Sequence, residues 1–111
     1  MKLYIYKGCG TCQKALKYLN EKNIQYTTIP IREQPPTLEE IKTMYTKYGL
    51  KRLFNTSGQD YRKLNMKEKL QTMTDEEALI LLSKNGNLIK RPFTVNPFLV
   101  GFKEDEWDNV L

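Results

Sequence analysis

The sequence contains no histidine and only two cysteines among its 111 residues. Without an imidazole it can form no Cys–His or Ser–His nucleophile pair, no histidine metal site and no histidine proton relay. Two thiols alone cannot complete a four-thiolate zinc site. We therefore expect no metal and no bound cofactor, and any catalysis must depend on other side chains.

Long apolar runs are also missing. No stretch approaches the roughly 18 apolar residues of a membrane-spanning helix, and the N-terminal segment reaches Lys7 and Gly8 before a signal-peptide core could form. We therefore expect a cytoplasmic protein with no membrane contact. In that compartment, a close pair of cysteines is more often catalytic, redox-sensing or metal-binding than a permanent disulfide.

The composition is that of one ordinary globular domain, with 40% hydrophobic and 28% charged residues. The formal net charge of +5 fits an anionic ligand or partner, but many proteins carry a similar excess. The lysines of residues 63–69 alternate with acidic and polar residues, which favours a solvated face. We therefore expect no direct binding of nucleic acid.

The N-terminal third predicts a βαβ unit with parallel strands. Residues 2–6 form a short run rich in Leu, Ile and Tyr, and residues 24–31 form a partly alternating run, so both are predicted strands. Between them, Cys12, Ala15 and Leu19 recur at helical spacing and predict an apolar helix face.

The remainder predicts helices followed by a hairpin. Thr37 and Thr74 each precede a glutamate three residues later, which is the capping-box pattern of a helix start. Residues 93–102 then predict an antiparallel β-hairpin, and residues 103–111 a terminal helix. The predicted order is β-α-β, several helices, then β-β-α.

The chemistry is concentrated in a Cys-x-x-Cys motif where the first strand meets the first helix. Amides at a helix start favour a thiolate on Cys9, and Lys7 and Lys14 add positive charge nearby. Cys12, one turn further, can attack a mixed disulfide formed by Cys9. Flanking glycines leave room for a bulky partner. Half of a zinc site, or two merely buried thiols, are the alternatives to redox chemistry.

A second feature is Arg91-Pro92, just before the predicted hairpin. A cis proline at a strand start opposite the thiols would shape a substrate groove. Arg91 would then present a fixed cation to an oxyanion, a carboxylate or the Cys9 thiolate. A solvated arginine at the strand entrance is the structural alternative.

Four segments together resemble the ArsC/Spx family. They are residues 8–15 (GCGTCQKA), 34–37 (QPPT), 53–58 (LFNTSG) and 90–92 (KRP), and the resemblance spans nearly the whole chain. It implies an α/β, thioredoxin-like fold with a mixed four-stranded sheet. The single domain would cover residues 1–111, with a helical insert at about 31–87.

The resemblance implies more than one function. Arsenate reductases of the family use a cysteine at the position of Cys9, with glutathione and glutaredoxin, and bind the oxyanion with three arginines, of which only Arg91 is matched. Their motif has serine in place of Cys12. Spx-type members are redox-sensing regulators that bind the RNA polymerase α-subunit and usually continue for a further segment. Residues 55–64 look most like a third branch of small reductase-like proteins.

We therefore predict a thiol–disulfide oxidoreductase of the ArsC type, acting as a monomer. Its substrate would be a thiol or disulfide, including one on a protein, or a small oxyanion. Thioredoxin or glutathione with glutaredoxin would be the external donor. The predicted catalytic residues are Cys9 and Cys12, and the predicted substrate-binding residues are Gly10, Thr11, Arg91 and Pro92.

Overall fold

A computed structural model describes all residues, 1–111, and contains one four-stranded sheet. The strands lie in the order β2-β1-β3-β4, where β1 is Lys2–Ile5, β2 Thr27–Pro30, β3 Phe93–Val95 and β4 Leu99–Val100. The pair β1–β2 is parallel, whereas β1–β3 and β3–β4 are antiparallel. The predicted mixed sheet and βαβ unit are confirmed.

Six α-helices and two short 3₁₀ turns connect or flank these strands. The helices are α1 (Gly10–Glu21), α2 (Leu38–Tyr48), α3 (Gln59–Lys63), α4 (Met66–Thr72), α5 (Asp75–Lys84) and α6 (Glu104–Val110). The 3₁₀ turns are Lys51–Leu53 and Gly86–Leu88. Helices α2 to α5 all fall between β2 and β3, which is the helical insert predicted from the resemblance.

The second strand is shorter than the predicted range 24–31. Asn23 has φ 57°, and the amide of Ile24 donates to the carbonyl of Leu19 at 3.0 Å, so both residues belong to the C-terminal turn of α1. The first residues of the predicted strand are therefore used to end a helix, and regular pairing with β1 begins only at Thr27. Alternation in the sequence could not reveal this competing hydrogen bond.

Both predicted capping boxes are present. The hydroxyl of Thr37 accepts from the amide of Glu40 at 3.1 Å, and the Glu40 carboxylate accepts from the amide of Thr37 at 3.0 Å. Thr74 and Glu77 make the same reciprocal pair at the start of α5. Each box satisfies backbone donors that the first helical turn cannot.

Apolar side chains cover both faces of the sheet, because successive strand residues point to opposite sides. On one face, Tyr4 and Phe93 pack with the insert, in a cluster that includes Ile41, Met44 and Leu82. On the other face, Leu3 and Leu99 pack with side chains of α1 and α6, which are Ala15, Tyr18, Leu19 and Trp107. None of the helices has the length and apolar character needed to cross a bilayer.

Polar contacts attach the insert to the rest of the fold. Glu40 of α2 accepts from the Lys2 ammonium at 2.6 Å and from the Tyr4 hydroxyl at 2.7 Å, so α2 is held against β1. Arg52 donates two hydrogen bonds of 2.9 Å to the Glu106 carboxylate of α6. These ion pairs attach the insert to β1 and to α6.

Candidate functional site

Cys9 occupies the N-cap position of α1, directly after the turn that follows β1. Its backbone is extended, with φ −87° and ψ 118°, and its sulfur accepts from the amide of Cys12 at 3.3 Å. Its own amide donates to the carbonyl of Tyr6 at 3.0 Å. A sulfur that caps a helix in this way faces unpaired amide donors and the positive end of the helix dipole, both of which favour a thiolate.

The two thiols differ in exposure and in acidity. Cys9 is half-buried, and its burial alone would raise its pKa. Hydrogen bonds from the thiol and amide of Cys12, the Arg91 charge and the amide of Thr11 together outweigh that effect, so the pKa of Cys9 is lowered. Cys12 is fully buried, and burial together with the neighbouring Cys9 raises its pKa to about 12.

The cation that lowers the pKa of Cys9 is Arg91, whereas the sequence had suggested Lys7 and Lys14. Both lysines lie exposed, and neither contributes to the shift. Arg91 follows Cys9 by more than eighty positions but lies beside it, since β3 pairs with β1. The charge that adds to the local Cys12 hydrogen bonds in lowering this pKa is therefore close in space and not along the chain.

Cys9 opens into a cleft of ≈ 800 Å³ between the sheet's carboxyl edge and the insert. Of the predicted site residues, Thr11 and Arg91 line this cleft together with Cys9. Gly10 is exposed with open space around its Cα and does not line it. Pro92 is buried behind it, in a cis peptide bond with Arg91, and its carbonyl accepts from the amide of Gly101 at 2.8 Å.

The cleft is strongly basic. Besides Cys9 and Tyr6, its titratable side chains are six cations and one carboxylate, that of Asp60. The cations are Arg32, Lys51, Arg52, Lys90, Arg91 and Lys103. Arg52 is neutralised by Glu106, and Asp60 accepts from the side-chain amides of Asn85 and Asn87 at 3.3 and 3.4 Å. The remaining cations form no ion pair, so the cleft presents a net positive charge to a ligand.

Two of these cations converge on one aromatic ring. The guanidinium carbon of Arg32 lies 3.6 Å from the ring centre of Tyr6, and that of Arg91 lies 5.3 Å from the same centre. The ring lies over Gly8, where an added Cβ would come within 2.9 Å of it. One nitrogen of Arg91, Nη1, is buried and has no hydrogen-bond partner.

Sequence reasoning missed Tyr6, Arg32 and the cleft-lining position of Arg52. A signal for Arg32 was present, because it closely follows a strand predicted to be parallel to β1, and the carboxyl ends of parallel strands meet at one edge. Arg52 carried no such signal, since it lies in an irregular part of the insert.

No group of three or more cysteine, aspartate or glutamate side chains is arranged to hold a metal ion.

Comparison with known proteins agrees with this fold. The fold is thioredoxin-like, and the model of the ArsC family matches residues 4–110. The uncharacterised protein YusI of Bacillus subtilis is 51% identical over 95% of this chain and 92% of its own length. A solved structure from Streptococcus mutans UA159, called a possible arsenate reductase, is 35% identical with a TM-score of 0.85, covering 96% of each chain.

Relatives that are transcriptional regulators have lower sequence identity to this chain. The global transcriptional regulator Spx of Listeria innocua is 32% identical over 94% of this chain and 81% of its own length. The structure defines the class of protein: it has a thioredoxin-like fold with a Cys-x-x-Cys motif at its first helix. This chain belongs to the ArsC family, as the resemblance in its sequence implied.

Proposed function

We propose that this protein is a thiol–disulfide oxidoreductase in which Cys9 attacks and Cys12 resolves. The observation that carries the proposal is the difference between the two thiols: Cys9 opens into the cleft with a lowered pKa, whereas Cys12 is fully buried with a raised one. A nucleophilic thiol must be accessible, and it reacts as the thiolate; of the two thiols, only Cys9 lines the cleft and has a lowered pKa.

The reaction consists of two exchanges. The Cys9 thiolate attacks one sulfur of a substrate disulfide, the substrate S–S bond breaks, and one substrate thiolate leaves. Cys12 then loses its proton and attacks the Cys9 sulfur, which forms the Cys9–Cys12 disulfide and releases the second substrate thiolate. The substrate gains two electrons and the protein loses two, and an external thiol such as thioredoxin or glutathione returns them.

Arg91 and Thr11 assist the first exchange. The Arg91 charge and the amide of Thr11 both stabilise the Cys9 thiolate before attack. Once Cys9 is joined to the substrate, its negative charge is gone, so Arg91 is free to hold an anionic group of the substrate. Pro92 is buried behind Arg91 and acts by holding the backbone there, rather than by lining the cleft.

Trapping tests this assignment. In Cys12→Ser the second exchange is blocked, so Cys9 should retain its partner as a mixed disulfide that mass spectrometry identifies after separation from cell extract. The matched control Cys9→Ser retains the buried thiol and should trap nothing. Trapping by Cys9→Ser alone would show that the roles are reversed, and equal trapping by the two variants would contradict the assignment of distinct roles.

A regulator that senses redox state through the same cysteines is the second candidate, and the Spx relative favours it. It predicts direct binding to the C-terminal domain of the RNA polymerase α-subunit, with different affinities in the reduced and disulfide forms. Calorimetry with each form separates this function from an oxidoreductase. Absence of binding in both forms would eliminate it.

Arsenate reduction is a third candidate. The sequence offered only Arg91 for oxyanion binding, but Arg32 lines the same cleft and makes no ion pair. Turnover of arsenate with glutathione and glutaredoxin, or with thioredoxin, is the direct assay. Arg91→Gln should abolish most of that turnover if the oxyanion binds there, since charge-assisted hydrogen bonds dominate oxyanion recognition.

A further inference from the structure

We propose that Arg32, placed on the ring of Tyr6, works with Arg91 as an anion-binding pair that favours thiol and disulfide substrates bearing a carboxylate close to sulfur. This substrate preference rests on the oxidoreductase function proposed above. It assigns a role to two residues, Tyr6 and Arg32, that neither exchange step uses.

Tyr6 places both arginines close to the position of Cys9. Tyr6 accepts from the amide of Cys9 at 3.0 Å through its carbonyl, and its ring covers Gly8, the residue before Cys9. Both guanidinium carbons lie within 5.3 Å of the centre of that ring. A ligand sulfur that reaches Cys9 therefore carries its near substituents toward both arginines.

Both arginines have hydrogen-bond donors that no group of the protein uses. Arg32 makes no side-chain hydrogen bond and no ion pair, and its contact is the face of Tyr6. Arg91 Nη1 is buried without a partner. A buried donor without a partner costs free energy, and a carboxylate oxygen from a ligand would remove that cost.

The contact with the Tyr6 ring also restricts the orientation of the Arg32 guanidinium. Stacking on an aromatic face orients a guanidinium group and leaves its N–H donors free at the edge, where a planar carboxylate can accept two hydrogen bonds. A lysine could supply the charge at this place but not the stacked, planar donor set. Arg52, by contrast, already donates to Glu106 and to the carbonyl of Val100, so it has less capacity left for a ligand.

A pair of alkylating reagents measures the anion preference independently of any disulfide chemistry. Iodoacetate carries a carboxylate next to its reacting carbon and iodoacetamide carries a neutral amide, and both are attacked by the same Cys9 thiolate. The ratio of their rate constants therefore cancels changes in the pKa of Cys9. Mass spectrometry of the intact reduced protein at pH 7 follows the modification, since buried Cys12 is expected to stay unmodified.

In Arg32→Gln the iodoacetate-to-iodoacetamide ratio should fall about three- to tenfold, the effect expected from one partly exposed charge-assisted contact. Tyr6→Leu, which removes the stacking surface, should lower the ratio in the same direction. Arg32→Lys should retain more of the wild-type ratio than Arg32→Gln, because the charge remains. Added 0.5 M KCl should reduce the wild-type preference by screening.

Lys17→Gln is the matched control, because Lys17 is an exposed cation of α1 that does not line the cleft. Its ratio should stay within about twofold of wild type, since its charge acts across solvent. If the iodoacetate-to-iodoacetamide ratio of Arg32→Gln is as close to the wild-type ratio as that of Lys17→Gln, the proposal is overturned. An equal fall in both variants would overturn it as well, since it would assign the preference to overall charge.

A second measurement separates this inference from the proposed function. Bis(2-hydroxyethyl) disulfide is neutral, so its reaction with the reduced protein tests thiol–disulfide exchange alone. If it fails to oxidise Cys9 and Cys12, the oxidoreductase function fails while the alkylation ratio still decides the anion pair. If it reacts, 3,3′-dithiodipropionate should react faster than cystamine, and Arg32→Gln should narrow that difference.

Discussion

Gly86→Ala is predicted to be strongly destabilising, for a reason that local sequence does not show. An alanine Cβ at this position would overlap the carbonyl oxygen of Ile31, and it would lie 2.7 Å from the carbonyl carbon of that residue and 3.3 Å from the amide nitrogen of Arg32. These are backbone atoms, so no rotamer change can relieve the contact. Either the 3₁₀ turn Gly86–Leu88 or the end of β2 must move.

The loss of stability in Gly86→Ala depends on which parts of the structure the added Cβ would displace. Ile31 is fully buried, and its amide donates to the carbonyl of Ile5 at 2.9 Å, so displacement disturbs both a core side chain and the edge of the sheet. Forcing extra volume into a packed interior typically costs 1–3 kcal/mol, and a backbone clash lies at the upper end, so we expect a loss of about 3 kcal/mol. That is a large share of a total stability of roughly 5–15 kcal/mol. For a chain of this length, it corresponds to a fall in Tm of about 13 °C.

Urea unfolding followed by tryptophan fluorescence measures this loss, because Trp107 is the only tryptophan and is fully buried. Gly10→Ala is the matched control: no atom lies within 4 Å of an added Cβ there, and its free energy of unfolding should change by less than about 1 kcal/mol. Equal stabilities for Gly86→Ala and wild type would refute the packing argument. Arg32 adjoins the clash, so the iodoacetate preference of folded Gly86→Ala should also fall.

Two further predictions concern ionisation. The lowered pKa of Cys9 should appear in a pH titration of thiolate absorbance at 240 nm, with a midpoint below the free-thiol value of about 8.5. Arg91→Gln should raise that midpoint. An unchanged midpoint would exclude Arg91 as a cause of the lowered pKa. Burial raises the pKa of Glu40, but hydrogen bonds from Lys2 and Tyr4 lower it more, so the net shift is downward. A lowered folded-state pKa stabilises the fold above the ordinary glutamate value, and that contribution disappears as pH falls through the folded-state value. Glu40→Gln should therefore lose about 1–2 kcal/mol at pH 7 and much less at acid pH, measured by urea unfolding; a loss independent of pH would contradict this reasoning.

Local patterns predicted much of the fold. Capping boxes at Thr37 and Thr74 marked helix starts because the reciprocal hydrogen bonds involve residues only three apart. The strand β2 was predicted too long because Ile24 bonds back to Leu19 in the turn that ends α1, a local contact that alternation does not encode. The insert between residues 51 and 65 had no clear period, and its short elements are held by contacts with distant segments.

The candidate site was likewise predicted only in part from the sequence. Cys9 and Cys12 were identified from spacing, since a helix start and a residue one turn later are local relations. Arg91 was identified as a candidate through its place before a predicted strand and through a family resemblance. Tyr6 and Arg32 were not identified, because their pairing depends on how two parallel strands end at one edge.

The sequence by itself determined the chemistry available to this protein: two thiols at a helix start, no imidazole and an excess of positive charge. These are properties of residue types and of short spacings, which any fold containing this helix would retain. The tertiary structure alone decided which thiol is exposed, which cation lowers its pKa and which arginines meet on Tyr6. Burial and Coulomb interaction depend on distance in space, and strand pairing brings Arg91 and Arg32 to the edge of the sheet where Cys9 lies.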